Sequence, residues 1–202
     1  NYDTLVSTLS SKSDKGILCE IPNIEKLPYL NANYISTQDI YIQAKQHIND
    51  NSYEVRKLED GDQFLRNSIE KIGVNGYGLS DSMPIKNIDI IDRKEINDIA
   101  SEIFRYNQFI NQTASKYNLP VVSMENYLIA ESVTFLGDSI VLNGTNTQLD
   151  YKLGSAISLD GIFPTPRGSA AIANKFINGI NEFYEAKIPL VDINQYPGLQ
   201  LP

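Results

Sequence analysis

Few side chains in this 202-residue sequence could do nucleophilic or acid–base work, and their spacing limits the chemistry. His47 is the single histidine, so any serine–histidine mechanism confined to these residues has to use it. It falls in Asp39–Asp50, where Ile40, Tyr41, Ala44 and Ile48 recur at helical spacing, and it reads as a partly exposed histidine on a helix. Ser139 ends a Gly137-Asp138-Ser139 triplet, but Ile140-Val141-Leu142-Asn143-Gly144 follows, which reads as strand and turn. A nucleophilic serine of that type needs a strand-to-helix turn whose N–H groups face the oxyanion, so the triplet is read as chance. Asp60-Gly61-Asp62 and the Asp89/Asp92 pair suggest calcium at first sight, yet they lack the EF-hand ladder of ligands and read as solvated turns and a helix cap. No second His or Cys stands at ligand spacing from His47, so neither a metal site nor a cofactor site is expected. Cys19, the only cysteine, has no internal disulfide partner and reads as a buried strand thiol.

The most specific block is Asp160-Gly161-Ile162-Phe163-Pro164-Thr165-Pro166-Arg167-Gly168, continuing through Ala170, Ala173 and Asn174. It resembles the closing D-G-x-H-P-T-P-x-G block of SGNH (GDSL-type) ester hydrolases, with phenylalanine in place of the histidine. Gly16 to Ile24 looks like that family's strand followed by I-P-D-V, with Asn23 where Asp is common. Tyr106-Asn107 with Leu119-Pro120-Val121-Val122 resembles its helix-to-strand step before the closing block. The likeness is to the larger GDSL-like hydrolases of Gram-negative cell envelopes, and it covers the second half of their domain. The resemblance implies an esterase or lipase lineage and an exported, cell-envelope or extracellular location. It also gives Asp160 the triad-aspartate position, as a catalytic residue or a vestige that only caps its turn. Three family elements are missing: the G-D-S nucleophile block, the G-x-N-D oxyanion block, and the base, since Phe163 has no nitrogen to exchange a proton.

The elements that must position this block follow from periodicity. Leu5, Val6 and Leu9 mark a first helix, and Ile17–Ile21 a buried strand stopped by Pro22. A helix is also expected over Asp62–Ile72, broken by Gly73-Val74-Asn75-Gly76-Tyr77-Gly78. Asp92 and Glu95 form a capping box opening a long helix with Ile96, Ile99, Ile103, Ile110, Ala114 and Tyr117 on one face. It ends near Asn118, before a second buried strand at Leu119–Ser123, and Val133–Leu142 is an expected edge strand. Thr165-Pro166 is a favoured start for the last helix, with Ala170, Ala173, Phe176, Ile177 and Ile180 facing inward.

This order is α/β, and the resemblance makes it an SGNH-like (flavodoxin-like) three-layer parallel sheet with covering helices. Residues 1–202 are expected to supply only the C-terminal portion of one such domain, with 36–90 an excursion or insertion and 187–202 an extended surface tail. Two buried strands are too few for a stable open sheet, so a missing N-terminal half or another polypeptide is expected to complete it. The net charge of −8 disfavours nucleic acid, whose phosphates want clustered Lys and Arg. No apolar run of about 18 residues exists to span a membrane. Two functions remain: a hydrolase relative inactive as this isolated chain, or a non-catalytic cell-surface binding or structural module on the same fold.

Overall fold

The structure is a computed structural model that describes residues 1–24, 27, 29–30, 38–46, 52–124, 156–158 and 160–198, and the backbone of 139–142 and 145–148. It divides into two compact units, Asn1–Asn23 with Ile103–Pro202, and Ile24–Glu102.

The first unit holds helix α1 (Tyr2–Ser10), strand β1 (Leu18–Cys19), strand β6 (Val121–Val122), the antiparallel pair β7 (Ser139–Leu142) and β8 (Thr145–Gln148), and helix α3 (Pro166–Tyr184). β1 and β6 pair in parallel, Leu18 with Val121 and Cys19 with Val122. Val122 and Met124 are buried against Ile17, Cys19, Ile172 and Phe176, which seats α3 on this strand pair. Tyr184, at the end of α3, closes the arrangement: its hydroxyl donates to the Gly16 carbonyl at 2.7 Å and accepts from the Gly16 N–H at 3.0 Å. α3 starts as its sequence predicts, with Thr165 as N-cap accepting from the Gly168 N–H and Pro166 at the first helical position.

The second unit carries a change of secondary structure. The expected helix over Asp39–Asp50 is strand β2 (Tyr41–Lys45) where described, paired antiparallel with β3 (Tyr53–Lys57). Ile40, Ile42 and Ala44 are buried and alternate with half-buried Tyr41 and Gln43, so period two prevails over the helical spacing. On the other side of β2, Ile85 receives an N–H from Gln43 and gives one to Tyr41, both at 2.8 Å. The expected Asp62–Ile72 helix is likewise divided, into strand β4 (Gln63–Phe64), which pairs with β5 (Ile90–Ile91), and a short 3-10 helix at Arg66–Lys71. Ile40, Ile42, Ala44, Phe64, Ile85 and Ile90 form its core.

Helix α2 (Arg93–Tyr117) has residues in both units. Its capping box is formed: Asp92 Oδ1 accepts from the Glu95 N–H at 3.0 Å, and Glu95 Oε2 from the Asp92 N–H at 3.4 Å. At the other end Asn118 adopts a left-handed φ of +50°, and Leu119 and Asn118 donate to the carbonyls of Ala114 and Ser115. This is the Schellman pattern, which ends a helix by turning its last carbonyls back onto the chain.

Asp60 is exposed in its turn and Asp92 caps α2, as the sequence suggests, but Asp62 and Asp89 are not solvated turn residues. The Asp62 side chain is buried and takes both guanidinium ends of Arg56 at 2.7 and 2.8 Å, together with the N–H groups of Glu59 and Arg93. Burial pushes its carboxyl up, but the Arg56 contact and the two N–H donors outweigh it and leave the pKa lowered. Asp89 is lowered in the same way, against burial, by Lys71 and the Tyr77 hydroxyl. A depressed carboxylate contributes stability that is complete above its unfolded value near 3.9 and is lost as pH falls through the folded value. The urea midpoint of the second unit is therefore expected to drop as pH is lowered below about 4. In Asp62→Asn the drop should be shallower, with a loss of roughly 1–2 kcal/mol already at pH 7. Identical pH slopes for the two proteins would rule this out.

Candidate functional site

The segment with the family-like block folds as a small antiparallel loop in front of α3. Ile157 and Pro164 form a β-bridge, Ser158 donates its N–H to the Phe163 carbonyl at 2.8 Å, and Thr165 donates to the Ala156 carbonyl at 2.9 Å. At its tip Gly161 takes a φ of +74°, open to glycine at little cost. Asp160 lies beside it, and its Oδ1 accepts from Ser158 Oγ at 2.6 Å, the Ile162 N–H at 2.8 Å and the Phe163 N–H at 3.0 Å. The Ser158 hydroxyl, followed by the two backbone donors, holds its carboxyl below the ordinary aspartate value. The carboxylate thus stabilises its own turn. Three residues on, its partner is the backbone N–H of Phe163. Phe163 is 65% exposed.

The backbone of Ser139 lies in β7, a strand, which is not the strand-to-helix turn a nucleophile needs. Gly137, Asp138 and His47 lie outside the described residues. Cys19 is in β1 as expected but half-buried; burial, then the neighbouring Glu20 charge, raises its thiol pKa. Asp60, Asp62, Asp89 and Asp92 all belong to the second unit, and among the described residues no three His, Cys, Asp or Glu side chains are grouped so as to hold a metal ion.

A set of residues that periodicity did not single out makes the most specific contacts of the first unit. Asn107, buried on α2, gives its amide N–H to the Ile21 carbonyl at 2.9 Å and takes the Ile21 N–H at 2.8 Å. Asn174 on α3 does the same to Val191, at 2.9 and 2.7 Å, and Asn181 to Ile188, both at 2.9 Å. Each side-chain amide stands in for one rung of a β-ladder, because it offers a donor and an acceptor at the spacing of a peptide group. The legible signal is an asparagine on a helix face otherwise apolar, as at Asn107 between Ile103 and Ile110.

Among the described residues no helix is long and apolar enough to cross a membrane. No family model, curated protein or solved structure matches the chain.

Proposed function

We propose that this chain is the closing half of an SGNH-type hydrolase domain, of an exported cell-envelope lineage, and that it hydrolyses no ester by itself. One observation carries the reading: the Asp160–Phe163 loop stands directly before a helix that packs on a parallel strand pair, where such a family would close its triad. Yet the Phe163 side chain offers no nitrogen, and Asp160 Oδ1 is engaged by the loop. Among the described residues the parallel sheet has two strands, fewer than the four to six usual in open sheets. The remaining strands, the serine and the oxyanion donors are accordingly assigned to polypeptide beyond these residues.

The test uses the purified chain with a serine-directed fluorophosphonate probe and a p-nitrophenyl ester. No labelling and no turnover above buffer are expected, and Phe163→His alone should not change that. Turnover by the unmodified chain sinks the reading, and so does activity gained in Phe163→His, because a working nucleophile would then lie within these residues. The second reading, a non-catalytic binding or structural module on the same fold, is favoured by the amide contacts to extended backbone.

A further inference from the structure

The residues after α3 run back along it in the opposite direction. Asn181 holds Ile188, Asn174 holds Val191, and Arg167 holds the end, its Nε donating to the Tyr196 carbonyl and its backbone N–H to that of Pro197, both at 3.1 Å. Arg167, Asn174 and Asn181 are spaced by seven residues, so they line one stripe of the helix. Seven helical residues rise about 10.5 Å, and three extended residues, the step from 188 to 191, span about 10 Å. The two repeats match, which is why both amides reach a peptide group in register. Between Asn174 and Arg167 the anchor is Ile193, 0% exposed and packed on Ala170 and Ala171.

The side chains of the held segment are used unevenly. Ile188 and Leu190 are 41% and 45% exposed although the backbone around them is gripped. Recognition therefore falls on the backbone, on half-buried Val191 and on the one buried isoleucine. Simple burial of a greasy tail would show the reverse, with side chains covered and polar backbone left to water. The pattern is that of extended-peptide capture, in which main-chain bonds give affinity and a few pockets give specificity.

We propose that the Arg167–Asn174–Asn181 stripe is a docking site for a peptide held by its backbone over 188–191 and turning through a short 3-10 helix at Ile193–Gln195, filled in cis by residues 188–197 and, when these are released, in trans by the same segment of a second copy. The Asp160 loop takes no part in it, and its test is separate from that of ester hydrolysis.

The probe is a fluorescent peptide of residues 187–198, added to the full chain and followed by anisotropy. The wild-type site is held by its own tethered segment at high effective concentration, so weak or no binding is expected there. Ile193→Asp puts a charge into the buried anchor and should release the segment, shown by faster proteolysis after Lys187. That variant should then bind the peptide at least about tenfold more tightly than wild type. Adding Asn174→Ala should remove about tenfold of that affinity, by loss of two hydrogen bonds. Release of the segment without peptide binding overturns the proposal, as does equal binding by wild type, Ile193→Asp and the double variant. Where Ile193→Asp does not fold, a protease site inserted at Ala186 severs the segment after folding. The labelled peptide should then displace the severed piece, and failure to exchange overturns the proposal.

Discussion

Gly168→Ala is expected to destabilise the first unit by about 3 kcal/mol or more, although helix propensity alone argues for the opposite sign. Within a helix, alanine is favoured over glycine by roughly 0.5–1 kcal/mol. At Gly168 that gain is overruled by space. A Cβ there would lie 2.0 Å from the carbonyl oxygen of Ala156 and 3.1 Å from the Pro164 ring. Neither neighbour is a flexible tip. Ala156 accepts the Thr165 N–H, and Pro164 is bridged to Ile157, so the obstructing oxygen is fixed by the same loop that holds Asp160. Relief would require the loop to move off the first turn of α3, giving up the Thr165 cap as well. Gly179→Ala is the matched control: its Cβ would meet only the Ile17 side-chain tip at 3.2 Å and Val122 at 3.5 Å, which can shift by a few tenths of an ångström. Urea denaturation followed by far-UV circular dichroism should show a large loss of midpoint for Gly168→Ala and a change within about 1 kcal/mol for Gly179→Ala. A neutral or stabilised Gly168→Ala would mean that the loop does not press on the helix in this way.

How much of this was legible in the sequence depends on whether the determining contact is local. The capping box at Asp92, the Thr165-Pro166 start and the end of α2 at Asn118 are set by residues within a turn of one another, and each is formed as read. β2 was misread because Ile40, Tyr41 and Ala44 fit a helix as well as Ile40, Ile42 and Ala44 fit a strand over so short a span. What decides it is backbone pairing with β3 and with Ile85, far along the chain. The tail reads as extended, yet Ile193–Gln195 turn in a short 3-10 helix, and the burial of Ile193 depends on Ala170 and Ala171 leaving room on α3. Asp160 was legible as a turn residue; that Ser158 and Phe163 occupy it follows from the loop's closure. Asn181 carried no signal of its own, and Asn174, though within the block and on an apolar helix face, gave no sign of its partner, because Val191 lies beyond the helix.

Asp92→Ala is expected to destabilise the second unit by about 3–4 kcal/mol, more than a helix cap alone is worth. Asp92 is 0% exposed and serves two elements with its two oxygens. Oδ1 caps α2 through the Glu95 N–H, and Oδ2 accepts the N–H of Lys45, the last residue of β2, at 2.6 Å. Loss of a cap by itself costs about 1–2 kcal/mol. Leaving the Lys45 N–H without its acceptor in a partly buried place adds about 1–3 kcal/mol. Asp92→Asn separates the two parts. Its amide oxygen can keep one bond, but the amide nitrogen turns a donor toward whichever N–H remains. A loss between that of Ala and zero is therefore expected. Glu95→Gln should cost far less, because its contact to the Asp92 N–H is long, 3.4 Å, and its ion pair with Lys45 is 3.9 Å. Thermal or urea melts of the three variants at pH 7 should fall in the order Ala, Asn, Gln, with Ala least stable. Equal losses for Asp92→Ala and Glu95→Gln would show that the bond to Lys45 contributes nothing and that only the capping box holds the start of α2.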